Sequence, residues 1–109
     1  MDTVCEYSLA DVRADVVDGA IRISALAHGP KDSSVWVRAW LFNQSRTLSE
    51  TALDPVDAGT SVVVDVPIPT GLDPDDAYAA YIRIESAPLE TRQVVAIPID
   101  FSSLRLFRK

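Results

Sequence analysis

The chain has 109 residues, of which 48% are hydrophobic, and carries a formal net charge of −6 at pH 7. This size and composition predict one folded domain and exclude a disordered chain. The negative charge argues against nucleic acid and anionic membranes as partners, because both are bound through clustered cations.

The cysteine content and the start of the chain bear on its compartment. One cysteine, Cys5, cannot form a disulfide within the chain, which suits a reducing compartment. The opening residues MDTVCE are acidic and lack the basic and apolar regions of a signal peptide. No stretch approaches the roughly 20 apolar residues of a membrane span. A cytoplasmic location is therefore expected, although a trimmed signal or a piece of a longer protein would leave the same pattern.

Apolar and polar residues alternate with a period of two in the first part of the chain, which predicts half-buried β-strands. The first predicted strand covers 8–17 and the second covers 20–27, with the Asp18-Gly19 turn between them. Their predicted core faces are Ala10, Val12, Ala14 and Val16 in the first strand and Ile21, Ile23, Ala25 and Ala27 in the second.

The third predicted strand, SVWVRAWLFN at 34–43, is apolar on both faces. One face carries Val35, Val37, Ala39 and Leu41, and the other carries Trp36, Arg38, Trp40 and Phe42. Either face can meet the core. We favour the aliphatic face, because the core positions of the other strands are small and aliphatic and two tryptophans would overfill a core of this size.

Four more strands are predicted in the second half of the chain. A short edge strand is expected at 45–53, followed by strands at 61–68, 77–85 and 92–101. The predicted core face of the strand at 77–85 carries Tyr78, Ala80, Ile82 and Ile84. Turns are expected at 28–34, 54–59, 70–76 and 86–90. Pro67 and Pro98 lack the N–H that a residue of a central strand donates. Because Pro98 lies in the last predicted strand, we expect that strand at a sheet edge. The sequence thus predicts an all-β, antiparallel β-sandwich of about seven strands.

The segment before the sixth predicted strand contains Leu72, Pro74 and Tyr78 in the order L-x-P-x-x-x-Y. This resembles the tyrosine corner of fibronectin type III and other immunoglobulin-like sandwiches. The resemblance covers 71–84. It implies that the Tyr78 hydroxyl bonds back to the backbone of the preceding turn, that the third and sixth strands are neighbours, and that the last strand lies beyond the sixth. The alternative is a proline turn followed by an ordinary core tyrosine.

Two features depart from known subfamilies within this resemblance. The second strand lacks the core tryptophan of fibronectin type III domains, and the tryptophans of the third strand have no cysteine pair beside them. The resemblance therefore extends to an immunoglobulin-like sandwich and not to a subfamily. We expect a single domain over 1–109, in which FSSLRLFRK at the C-terminal end is a tail, a final strand or a segment that docks on a partner.

Residue types that carry catalysis or bind cofactors are scarce. His28 lies in a predicted loop, Cys5 is near an end of the chain, and the four glycines form no phosphate-binding loop. One cysteine and one histidine are too few for a zinc site. The acidic residues at 54, 57, 73, 75 and 76 lack the spacing of an EF-hand. We expect no catalytic, cofactor-binding or metal-binding residues, and hence no enzyme.

The outward face of the third strand, joined by the outward face of the sixth, is the candidate functional surface. The predicted partner-binding residues are Trp36, Arg38, Trp40, Phe42, Tyr81 and Arg83. Aromatic residues and arginine dominate the binding energy of many protein interfaces. The chain is therefore predicted to be a non-catalytic interaction module or small structural subunit that binds another protein or itself as a homodimer. The alternatives are a carbohydrate-binding sandwich and an accessory domain of a larger enzyme or assembly.

Overall fold

A computed structural model describes residues 7–43, 46–73 and 75–99. These residues form two antiparallel sheets and contain no helix, and hence none that could cross a membrane. The strands are β1 (Ser8–Val17), β2 (Ala20–His28), β3 (Ser34–Asn43), β4 (Arg46–Ala52), β5 (Val56–Asp57), β6 (Thr60–Pro67), β7 (Tyr78–Glu85) and β8 (Thr91–Ile99). The smaller sheet has the order β1-β2-β6, and the larger has the order β4-β3-β7-β8 with β5 also paired to β3. The predicted all-β sandwich is confirmed.

The core lies between the two sheets and is built from alternate residues of each strand. The buried apolar residues of the central strands are Ile21, Ile23, Ala25 and Ala27 in β2, Val35, Val37, Ala39 and Leu41 in β3, and Tyr78, Ala80, Ile82 and Ile84 in β7. Each large aliphatic side chain of this kind contributes about 1.5–3 kcal/mol on burial. The predicted core faces of these strands are confirmed.

The first strand departs from its predicted alternation at a β-bulge. Asp11 has a φ of 54°, and the register with β2 shifts between Ala10 and Arg13. Because the bulge adds one residue to β1, the side chains before it change faces. The prediction that Ala10 belongs to the core face is wrong: Leu9 is buried in the core, while Ala10 pairs with Leu26 on the outer side.

The segment 54–59 was expected to be a turn, but it contains the two-residue strand β5. Val56 pairs with Val35, and Asp57 pairs with Ser34. The described residues therefore form eight strands rather than seven. This short strand extends the larger sheet beside the start of β3, where β4 has already ended.

Side chains on the edge strands join the two sheets. The Thr51 hydroxyl on β4 donates to the backbone carbonyl of Asp65 on β6 at 2.9 Å, and the Ser49 hydroxyl donates to the carbonyl of Pro67. On the opposite side, the Leu9 N–H donates to Oε1 of Gln93 on β8 at 2.7 Å. The prediction that proline places the last strand at an edge is confirmed, since β8 ends the larger sheet.

The connection from β6 to β7 crosses from one sheet to the other, and a hydrogen bond from Tyr78 stabilises it. The Tyr78 hydroxyl donates to the backbone carbonyl of Asp73 at 2.7 Å, which is the expected bond back to the preceding turn. Leu72 packs against the edge of the core, and Pro74 lies outside the described residues. Burial, followed by the charges of Asp76 and Asp73, raises the pKa of Tyr78. The expected neighbours are also observed, because β3 pairs with β7 and β8 lies beyond β7.

Candidate interaction surface on the larger sheet

The third strand turns its aliphatic side chains into the core and its aromatic and arginine side chains outward. Val35, Val37 and Leu41 are fully buried, while Trp36 and Trp40 are half-buried on the outer side. A small aliphatic core leaves no room for both indole rings. The favoured orientation of this strand is therefore the one observed.

The pairing of β3 with β7 places all six candidate side chains on one surface. Going along the strands, the opposed pairs are Trp36–Glu85, Arg38–Arg83, Trp40–Tyr81 and Phe42–Ala79. We call Trp36, Arg38, Trp40, Phe42, Tyr81 and Arg83 the aromatic–arginine face. The neighbouring strand β8 extends it with Val94 beside Arg83 and Ala96 beside Tyr81, both exposed.

The aromatic side chains of this face pack against one another. The rings of Trp40 and Tyr81 are stacked, with centroids 5.4 Å apart and planes 14° apart. Phe42 meets Tyr81 edge-on at 5.8 Å, and the Arg83 guanidinium lies 5.2 Å from the centroid of Trp40. Such contacts restrict the rotamers of these side chains. A partner that binds here therefore does not have to bear the full entropic cost of ordering them.

A buried carboxylate, Glu85, lies beneath the arginines. Its side chain is only 1% exposed, although it is on the outer side of the sheet. Its Oε2 lies 2.7 Å from Arg83 Nε and 3.6 Å from Arg38 Nε. The N–H directions do not complete hydrogen bonds to this oxygen, so the interaction is chiefly one of charge. Two arginines that face each other across neighbouring strands are thus held together by one shared anion.

Glu85 was not among the predicted site residues. Its position in the alternating strand predicts a solvated carboxylate beside Arg83, which is two residues earlier on the same face. Only the register of β3 on β7 adds Arg38. Arg38 has a second anionic partner in Glu50 of β4, at 2.7 Å between Nη1 and Oε2. The hydrogen bond to Glu50, supported by the charge of Glu85, raises the pKa of Arg38. The face therefore carries two cations and two anions and no net charge.

The turn between β7 and β8 adds an exposed leucine at the Trp36 end of the face. Leu89 is 78% exposed and has a φ of 68°, in the left-handed region that costs a leucine about 1–2 kcal/mol. Its N–H donates to Oε1 of Glu85 at 3.2 Å, while the Ser86 N–H donates to the carbonyl of Glu90 at 3.0 Å. The turn predicted at 86–90 is present, but the sequence pattern does not single out Leu89 as an exposed apolar residue beside the candidate face.

The residues considered for catalysis and metal binding do not converge. His28 is exposed at the end of β2, and the acidic residues 54, 57, 73, 75 and 76 are exposed. Within 7–43, 46–73 and 75–99, no three His, Cys, Asp or Glu side chains are grouped so as to hold a metal ion. Cys5 and the C-terminal segment 101–109 lie outside the described residues.

No model of a known protein family matches the chain, and a search of curated proteins finds no match.

Proposed function

We propose that this chain is a non-catalytic protein–protein interaction module, or a small structural subunit, that binds its partner through the aromatic–arginine face. The observation that carries the proposal is the gathering of four aromatic side chains and two arginines on one side of the larger sheet. Interfaces are enriched in these residue types relative to the rest of a protein surface. The partner is another protein or a second copy of the chain.

The fold supports an immunoglobulin-like relationship as part of this proposal. The Tyr78 hydroxyl bonds back to the backbone of the preceding connection, and the strand order β3-β7-β8 agrees with that of immunoglobulin-like sandwiches. Domains of this architecture commonly present one sheet to a partner, and the larger sheet carries the aromatic–arginine face. The single cysteine suits a reducing compartment such as the cytoplasm.

The packing of the rings favours a protein partner over a carbohydrate. A sugar-binding platform offers the open flat face of an aromatic ring. Trp36 and Trp40 would stand about 13 Å apart along the strand, a separation that suits two sugar rings of an extended chain. However, Trp40 uses one ring face against Tyr81 and also contacts Arg83. That arrangement leaves less ring area for a sugar and suits contacts with protein side chains.

The proposal is tested by capturing partners with matched variants. Trp40→Ser removes a ring of the face, whereas Val63→Ser removes an apolar side chain, 54% exposed, from the opposite sheet. Each tagged protein is cross-linked in extract from its own host, and the captured proteins are compared. We expect a set that is captured by the wild type and by Val63→Ser and lost with Trp40→Ser.

Two further measurements make the result decisive. Circular dichroism and thermal unfolding must show that Trp40→Ser still folds, as expected for an outward side chain. Equal capture by all three proteins would contradict the proposal. Binding on a glycan array that is lost with Trp40→Ser would favour the carbohydrate alternative instead.

A further inference from the structure

We infer that the partner of the aromatic–arginine face is a second copy of this chain, packed face to face with its strands reversed. The inference rests on the proposed function, because it names the occupant of the same surface. It is carried by the order in which aromatic and cationic side chains follow one another along the strands.

Two neighbouring rows of the face have complementary chemistry. One row is cationic, formed by Arg38 and Arg83, and the next is aromatic, formed by Trp40 and Tyr81, with the Glu50 carboxylate beside Trp40 on β4. Each row runs across the strands, because its residues are paired between β3 and β7. Consider a two-fold axis that lies in the plane of the interface, midway between the two rows and parallel to them. This axis places the cationic row of each copy on the aromatic row of the other. The partner's guanidinium groups would meet the parts of the Trp40 and Tyr81 rings that their mutual stacking leaves free. Attraction between a guanidinium group and an aromatic ring strengthens when water is removed. The contact of Arg83 with Trp40 within one chain is of the same kind.

The other simple face-to-face arrangement is unfavourable. A two-fold axis parallel to the strands would place each row on its own copy, so that Arg38 and Arg83 of one molecule would meet the same arginines of the other. Glu50 and Glu85 offset part of this repulsion, but the parallel arrangement brings the arginines of the two copies together without any contact between an arginine of one copy and an aromatic ring of the other. The reversed arrangement avoids this contact and uses both rows.

The ends of the face also complement each other under the reversal. The end with Trp36 and the exposed Leu89 is placed over the end with Phe42. Apolar surface is thus buried at both ends of the interface, and each such contact occurs twice because of the symmetry.

Charge further favours this surface for self-association. The whole chain carries a net charge of −6, so two copies repel each other through most orientations. The aromatic–arginine face, with Glu50 and Glu85, carries two charges of each sign. Two copies that meet through it therefore bring no net charge of the same sign into contact.

Two arginine substitutions on β8 test both the partner and the arrangement. Ala96 extends the aromatic row and Val94 extends the cationic row, and both are exposed. In the reversed dimer Ala96→Arg faces the partner's cationic row, whereas Val94→Arg faces the partner's aromatic row. Val63→Arg, on the outer face of the smaller sheet, is the matched control for the added charge.

Sedimentation velocity over a wide concentration range measures self-association, and circular dichroism confirms that each variant folds. We expect the wild type and Val63→Arg to dimerise equally and Ala96→Arg to weaken the dimer at least about tenfold, because of like-charge contact. Val94→Arg should stay within about threefold of the wild type, since its cation meets aromatic rings.

A wild type that stays monomeric at all concentrations would overturn this inference and leave the proposed function standing if capture still depends on Trp40. Equal weakening by Ala96→Arg and Val94→Arg would overturn the reversed arrangement. A dimer weakened only by Val63→Arg would place the interface on the smaller sheet and contradict the proposed function as well.

Discussion

The outer faces of the two sheets both carry arginine–carboxylate pairs, but the pairs differ in their surroundings. On the smaller sheet, Arg22 and Asp65 form a two-bond pair at 2.8 Å and 3.0 Å, and both side chains are exposed. On the larger sheet, Arg38 and Arg83 are mostly buried around the fully buried Glu85. The same residue types thus form a solvated pair on one face and a shielded cluster on the other.

This difference determines how strongly water and salt screen the charges of each pair. The Arg22–Asp65 pair lowers the pKa of Asp65, chiefly through its hydrogen bonds, but water and salt screen such exposed charges. The cluster on the larger sheet is covered by its own aromatic neighbours and gains more from each charge contact. Under the proposed function, these contacts reduce the entropy that the side chains lose when a partner binds.

The largest predicted effect contrasts the two carboxylates. Glu85→Ala leaves two crowded arginines without their shared anion and should lower the free energy of unfolding by about 2–3 kcal/mol, less than for a fully buried pair because both arginines reach water. Asp65→Ala should have a much smaller effect, since its pair is exposed. Urea unfolding of the two variants measures the difference. Equal effects would mean that the cluster is no more shielded than the surface pair.

A second prediction tests whether partner capture depends on the stability of the whole domain or on the aromatic–arginine face. Tyr78→Phe removes the hydroxyl that donates to Asp73 and should lower the free energy of unfolding by about 1 kcal/mol while leaving partner capture unchanged. It touches neither outer face. A loss of capture in this variant, with the fold intact, would mean that association depends on global stability and not on the aromatic–arginine face.

Tyr78 should also lower the free energy of unfolding of the wild type at alkaline pH. Because its pKa is raised in the folded protein, the unfolded chain releases the phenol proton first as the pH rises. Its contribution is therefore constant below the ordinary tyrosine pKa of about 10 and declines above it. Urea unfolding between pH 8 and pH 11 should show that the free energy of unfolding declines more steeply with pH in the wild type than in Tyr78→Phe. The difference between the two curves should be that expected for one titrating group.

Much of the fold follows from the sequence because local patterns determine it. The alternation in 20–27 and 77–85 correctly predicts the core faces of two central strands, and the aliphatic side of 34–43 predicts the orientation of the tryptophans. The Asp18-Gly19 pair predicts a tight turn, and both residues adopt positive φ, at 49° and 79°. These features depend on neighbours along the chain.

The missed features depend on contacts between distant segments or on local irregularity. The bulge at Asp11 reverses the alternation before it, so Ala10 and Leu9 exchange faces. Aspartate tolerates the left-handed region, but a single Asp within an alternating strand does not by itself predict a bulge. The strand β5 forms only because 56–57 meets the start of β3. Arg83 precedes Glu85 by two residues on the same face of β7, as the alternation predicts, but Arg38 and Trp36 are brought beside Glu85 only by the register of β3 on β7. Sequence periodicity carries no information about that register.

The most direct test of the account is the quenching of tryptophan fluorescence by acrylamide, before and after association. The two tryptophans of the chain, Trp36 and Trp40, both lie on the aromatic–arginine face, so their emission reports on this face alone. Quenching is compared between dilute protein and the associated state, whether that state is a dimer or a complex with a captured protein whose own tryptophans have been replaced by phenylalanine. We predict that association lowers the quenching constant. Association with unchanged quenching would place the interface elsewhere and contradict the account.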